Sequence, residues 1–213
     1  TRDGGVWLGH VRAEPPPGEP ALKLAATRAF ATQAAALPEL EVPLLRDADE
    51  WDEMRYAETG PAGERVGWLA FDFHNGAMST RQCERLRDAL RFARRRDTRV
   101  LVLEGGEDFF SNGIHLHDIE ASARDAGDSA ADASWRNIQA IDDVVLELLG
   151  LTDRHTVALL RGNAGAGGCW LAFAADRVWA HANVVLNPHY KNMGNLYGSE
   201  YWTHTLPRLE PYK

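Results

Sequence analysis

Two glycine-bearing stretches hold the residues whose types and spacing could do chemistry. "GNAGAGGCWLA", residues 162–172, follows the apolar run "TVALL" and leads into "AFAADRVWA". That order reads as strand, turn and helix. A glycine turn at a helix start can hold a phosphate, or it can aim backbone N–H groups at an oxygen that gains charge during a reaction. The residues disfavour the two nucleotide-type readings. No Lys followed by Ser or Thr closes the glycine run, as a P-loop requires, and no G-x-G-x-x-G with a suitable later acid is present. The second stretch, "EDFFSNGIHLHDIE", runs from loop into helix and holds an H-x-H pair, His115 and His117. Two imidazoles can share a metal ion, but an ion needs further ligands and none stands out, so no metal is expected.

The elements that position these stretches read as an α/β chain. Its 213 residues suffice for one sizeable domain plus a small appendage. A formal charge of −8 without a long basic run argues against broad nucleic-acid binding. Cys83 and Cys169 lie far apart, which speaks against a disulfide framework and fits a reducing cytoplasm. No apolar run approaches the roughly 18 residues of a membrane span. The opening "TRDGGVWLGH" has neither an initiator Met nor an apolar signal region, so the chain is expected to be part of a longer one.

Along the chain, residues 1–12 contain a strand, "AEPPPGEP" breaks it, and residues 21–37 look partly helical. "PELEVPLLRDADEWDE" reads as a linker, with a module boundary near residue 50. "RVGWLAFDF" is a strand and "HNGAM" a loop. Ser79 with Gln82 matches a capping box, and Cys83, Leu86, Leu90 and Ala93 fall at helical spacing. "RVLVLEGG" is a short strand of the type buried in parallel sheets. "SARDAGDSAADAS" is polar and expected to be mobile. A helix is predicted over 135–149, with Ile138, Ile141, Val145 and Leu148 on one face and Gly150 at C′. "TVALL", "RVWA" and "VVLN" are further strands, and "HYKNMGNLYGSEYWTHTL" is a loop entering a last helix. Alternating strands and helices define the class.

Three of these stretches, in order, resemble the crotonase (enoyl-CoA hydratase/isomerase) superfamily. "HNGAMS" precedes the first helix, "FFSNGIHL" resembles the F-x-A-G-A-D-L signature, and "GNAGAGGCWLA" resembles N-G-x-x-x-G-G-G-x-x-L-A. The resemblance covers residues 54–206 and implies a crotonase-like fold of repeated ββα units, lacking the superfamily's C-terminal helices. "FHNGAMST", "FFSNGIHL", "SWRNIQAIDDVV", "GNAGAGG" and "VVLNPHYKNMGNLYGSEYW" look like the C-terminal domain of the HypX/HoxX family of hydrogenase maturation factors. That likeness implies residues 1–48 as the tail of a formyltransferase-like module's barrel-like domain, with its linker, and 49–213 as the crotonase-like domain. It also implies a reaction. A formyl group passes from formyl-tetrahydrofolate, in the preceding module, to coenzyme A, and formyl-CoA then releases carbon monoxide for the iron of a NiFe hydrogenase. Acyl-CoA is the implied substrate, with hydrogenase maturation proteins as partners.

Carried onto this sequence, the superfamily pattern makes the N–H groups of Ile114 and Gly167 the oxyanion donors. Glycine at Gly113 and Gly167 lets the backbone come close to the ligand, and Gly168 is expected to line the pocket. The adenine of coenzyme A would lie beside Asn75, Gly76, Ala77, Met78 and Ser79 and beside Ser111, Asn112 and Gly113. Arg81, Arg85 and Lys191 are candidates for its phosphates. Trp170 stands where hydratases of the superfamily carry one catalytic glutamate, and His189 or Tyr190, after Pro188, where they carry the other. Water addition to an enoyl thioester needs those carboxylates, so hydration is not expected. Decarbonylation instead needs a proton carrier near the formyl carbon and a wall against water. Tyr190 is the first choice for the carrier, with His189, Tyr197 and Glu200 as alternatives, and Trp170 is the wall. Two other readings stay open. An acyl-CoA isomerase or thioesterase would be marked by a carboxylate in the pocket, foremost Glu200. A non-catalytic scaffold would bind CoA and leave formyl-CoA intact.

Overall fold

The computed structural model describes residues 6–8, 11–13, 50–51, 53–122, 124, 127–189 and 200–209. The chain divides into two units, Thr1–Leu45 and Arg46–Lys213. In the first, β1 (Val6–Leu8) and β2 (Val11–Ala13) pair antiparallel, Val6 opposite Ala13.

The second unit carries β3 (Glu50–Trp51), β4 (Met54–Thr59), β5 (Val66–Phe71), a single 3-10 turn His74–Gly76, β6 (Ala77–Met78), α1 (Thr80–Arg94) and β7 (Val100–Glu104). It continues with β8 (Phe109–Ser111), β9 (Gly113–Ile114), α2 (Leu116–Ser122), α3 (Ala130–Leu149), β10 (His155–Leu160) and β11 (Asn163–Gly165). It ends with α4 (Gly167–Phe173), β12 (Arg177–Ala180), β13 (Leu186–Asn187) and α5 (Trp202–Leu209). Six strands form the main sheet in the order β12-β10-β7-β5-β4-β3, parallel from β12 to β5 and antiparallel from β5 to β3. Each parallel strand is followed by short strands that leave the main sheet. β6 pairs with β9, and β13, β11 and β8 pair in a third sheet. This is the expected repetition of strand, short strand and helix, and it sends the chain after β5, β7 and β10 toward shared short sheets.

Local sequence explains most of the elements. β7 lies between parallel β5 and β10 and buries Leu101, Val102 and Leu103 in succession, as a strand covered on both faces must. Ser79 caps α1 in the expected box: the Gln82 N–H donates to Ser79 Oγ, and the Ser79 N–H donates to Gln82 Oε1. Cys83, Leu86, Leu90 and Ala93 are buried on the core face of α1. Arg154, its side chain only 4% exposed, gathers the carbonyls of Ala93, Arg94 and Arg96 at the end of that helix, together with Thr98 Oγ1.

Several boundaries differ from the sequence reading. The predicted linker contains β3 and leads straight into β4, whose pairing with β5 went unread. Met54 and Tyr56 point inward and Arg55 and Ala57 outward, so the strand alternates, but its charged residues mask the period. α3 starts at Ala130 rather than 135, because Ser129 accepts from the Asp132 N–H and draws in part of the stretch expected to be mobile. Its buried face runs through Asn137, Ile141, Val144, Val145 and Leu148, with Ile138 only half-buried. Gly150 closes the helix with φ −75°, so the left-handed freedom expected of a C′ glycine is not used.

Candidate active site

The two glycine turns meet. In the first, β8 ends at Ser111 and β9 starts at Gly113, which adopts φ +76°. Only glycine adopts that conformation without strain, and the space excludes a side chain as well. A Cβ on Gly113 would stand 2.9 Å from the Gly167 nitrogen and 3.3 Å from its Cα. In the second turn, Ala166 leads into α4 with φ 45° and ψ −124°, an unusual conformation for a residue with a side chain, held by its N–H on the Asn187 carbonyl at 2.8 Å. A Cβ on Gly168 would run into the Ser111 carbonyl. The backbone following Gly113 and the first turn of α4 therefore close on one small space.

Hydrogen bonds fix that space from behind. The Gly113 N–H donates to Ser111 Oγ at 3.0 Å, and Ser111 Oγ donates to the Gly76 carbonyl at 3.1 Å. The Asn112 N–H also donates to the Gly76 carbonyl, at 2.7 Å, and Asn112 Nδ2 donates to the Asn75 carbonyl at 2.6 Å. Asn75 and Gly76 are both left-handed, at φ 54° and 67°. Ser111 and Asn112 thus join the loop before α1 to the first glycine turn, and Ala77 and Met78 pair directly with Gly113 and Ile114.

Sequence reasoning missed Asn137. It is almost fully buried on α3 and uses both ends of its amide: Nδ2 donates to the Met78 carbonyl at 2.8 Å, and Oδ1 accepts from the His115 N–H at 3.0 Å. One side chain clamps β6 and the end of β9, and with them the peptide that follows Ile114. The readable signal was a polar residue on an otherwise apolar helical stripe, since a buried amide needs partners on both ends.

The main result at the site is the placement of Glu200. It is fully buried, and its Oε1 lies 2.6 Å from where a Cβ on Gly167 would be. Its own N–H donates to Asp142 Oδ1 on α3 at 2.8 Å. Asp142 also escaped sequence analysis, having no pattern to distinguish it from any helix-surface carboxylate. Trp170 lies on α4 one turn beyond Gly167, buried, with its ring 6.1 Å from that of Trp202 and 5.6 Å from that of Phe173. Its indole Nε1 is buried without a hydrogen-bond partner among the described residues.

Tyr190, Lys191 and Tyr197 lie outside the described residues. His189 is exposed. His115 is taken up by the start of α2, where its Nδ1 accepts from the Asp118 N–H at 3.1 Å, and His117 is exposed. Among the described residues no group of three or more His, Cys, Asp or Glu could hold a metal ion. Arg81 is exposed, whereas Arg85 is paired with Glu53 at 3.7 Å. Both line a cavity of about 710 Å³ with Ser79, His115, Arg136 and Asn137. Burial pushes the Cys169 thiol up to about 11, and its Sγ donates to the Ala164 carbonyl at 3.0 Å, so it is a packing group rather than a nucleophile.

The arrangement offers backbone N–H groups on two converging turns, a carboxylate against one of them, and an aromatic wall. Those are the parts needed to polarise a thioester carbonyl and move a proton beside it.

Comparison with known proteins agrees with this geometry. A family profile described as enoyl-CoA hydratase/isomerase matches residues 72–209. The chain is 53% identical over 208 residues to the hydrogenase maturation factor HoxX of Bradyrhizobium diazoefficiens, covering 98% of this chain and 34% of that protein. The crystal structure of HypX from Aquifex aeolicus in complex with tetrahydrofolic acid is 52% identical with a TM-score of 0.66, over 75% of this chain and 27% of that one. An enoyl-CoA hydratase from Bacillus halodurans, 22% identical with a TM-score of 0.59 over 74% of this chain and 61% of its own, shares the fold. The chain spans about a third of the length of the curated relative it matches. Among the described residues no helix is long and apolar enough to cross a membrane. In fold, in the order of its glycine turns and in sequence, the chain belongs to the enoyl-CoA hydratase/isomerase family, with a hydrogenase maturation factor among its relatives.

Proposed function

We propose that this domain binds formyl-CoA and releases carbon monoxide from it, as the last step in making a carbonyl ligand for the iron of a NiFe hydrogenase. The observation that carries the reading is the Glu200 carboxylate beside Gly167, where the two glycine turns meet. The formyl oxygen accepts hydrogen bonds from the N–H groups of Ile114 and Gly167, which hold the thioester and polarise its carbonyl, so that the C–H proton is easier to remove. Glu200 accepts the formyl proton. The C–H pair stays on carbon as the lone pair of carbon monoxide, the C–S bond breaks with its electrons on sulfur, and Glu200 returns the proton to the thiolate. The products are carbon monoxide and free CoA thiol, with no oxidant or water consumed. Tyr190, the first choice of carrier from the sequence, remains a candidate beside Glu200.

Coenzyme A is a substrate in this reading, and formyl-tetrahydrofolate belongs to a separate module. Asn75, Gly76, Ala77, Met78, Ser79, Ser111, Asn112 and Gly113 form the backbone rim proposed to receive its adenine end. Trp170, packed on Phe173 and Trp202, shields the reacting carbon from water, which would otherwise yield formate. The likeness to HoxX and HypX supports this assignment and the proposed partners, hydrogenase maturation proteins.

The same carboxylate favours a second reading, an acyl-CoA isomerase or thioesterase. Incubating purified protein with formyl-CoA, with ferrous haem to trap the gas and a thiol reagent to count CoA, separates the cases. Equal amounts of carbon monoxide and thiol are expected. Formate with thiol would indicate a thioesterase, and intact formyl-CoA with retained CoA binding a scaffold. Either result would overturn the decarbonylase assignment.

A further inference from the structure

We infer that Asp142 on α3 is a positioning residue that aims Glu200 at the glycine turns. The inference rests on the reading of Glu200 as the proton carrier. Glu200 and Tyr201 are successive residues with positive φ, 28° and 54°. Residues with side chains hold such a pair only where the surroundings impose it. On the C-terminal side the turn is closed by α5: the N–H groups of His204 and Thr205 donate to the Tyr201 carbonyl at 2.8 and 3.0 Å. A tie to the rest of the domain is the Glu200 N–H, which donates to Asp142 Oδ1 at 2.8 Å. That bond helps to hold the Glu200 backbone, and so bears on where its side chain reaches. The reach is short of slack, because Oε1 already stands 2.6 Å from a Gly167 Cβ position.

The neighbours of Asp142 on α3 do other work. Ile141 is in the core, and Asp143 is bound to Arg87 at 2.6 Å on α1. α3 therefore serves the site twice, through Asn137 behind the first glycine turn and through Asp142 behind the carboxylate.

The test compares E200Q, D142A, D142N and the control D143A for carbon monoxide release from formyl-CoA, with kcat, KM and thermal midpoint measured for each. Asparagine keeps an Oδ1 acceptor for the Glu200 N–H, and alanine does not. D142A is expected to lower kcat about 10- to 100-fold, the effect of a displacement near 1 Å, with KM within about threefold, and D142N to restore kcat to within about threefold. D143A should match the parent. A D142A protein with parental kcat beside an inactive E200Q overturns the positioning role while leaving Glu200 in place, and so does a folded D142N as impaired as D142A. An E200Q protein with parental kcat removes the proton-carrier reading, and this inference with it.

Discussion

Replacing Gly167 by alanine separates the chemistry of the site from its folding. Gly167 opens α4 with ordinary helical backbone, so alanine fits its conformation, and the substitution alone is worth up to about 1 kcal/mol of added stability. The new methyl meets Glu200 Oε1 at 2.6 Å and Cδ at 3.2 Å. Ordinary van der Waals contact begins near 3.5 Å, so the carboxylate must withdraw by about 1 Å. It is the end of a flexible side chain and can withdraw, whereas the backbone donor at position 167 remains. A 1 Å displacement of a catalytic group costs on the order of 100-fold in rate, or about 2.7 kcal/mol of barrier. We expect kcat for carbon monoxide release to fall about 100-fold while the melting temperature stays within about 3 °C of the parent. Gly168→Ala is the contrast. Its methyl meets the Ser111 carbonyl, which cannot swing away, so stability should fall along with activity. A Gly167→Ala protein with parental turnover would refute the assignment of the reaction to the meeting of Glu200 and Gly167.

Three further outcomes test the scaffold. Arg154→Met should cost about 3 kcal/mol and lower the melting temperature by about 6–12 °C in calorimetry, because it strips donors from the Ala93, Arg94 and Arg96 carbonyls at the end of α1. Asn137→Leu should cost about 2 kcal/mol by leaving the His115 N–H without Asn137 and the Met78 carbonyl with only the weak Cys83 thiol donor, and it should slow turnover more than an equally destabilising change remote from the site. The hydrogen bond from Arg96 holds the Glu58 carboxyl below its ordinary value of 4.5, so the fold favours the ionised form. The resulting stability is present above that value and is lost as pH falls below it. Glu58→Gln should flatten the drop in melting temperature between about pH 5 and 3, and an unchanged acid limb would exclude this pair as a contributor.

What the sequence carried was what is local. Glycines that must turn left-handed or admit another backbone are recognisable where they stand, so both turns were legible from Gly113, Gly167 and Gly168. The capping box at Ser79 and the apolar run of β7 depend on neighbours along the chain, and they too were readable. β4 was missed because its alternation is interrupted by charge, and its place in the sheet comes from pairing with β5.

Tertiary structure decided which polar side chains meet. Glu200, Asp142 and Asn137 are ordinary letters in helical or loop context. Only packing α3 against the short strands and against the start of α5 gives Asn137 its two partners and Asp142 the Glu200 N–H, and brings the carboxylate to Gly167. Such contacts carry no periodicity, because they join segments far apart in the chain through single hydrogen bonds. The glycine turns state in sequence that backbone must come close to something; the fold states that a carboxylate waits there.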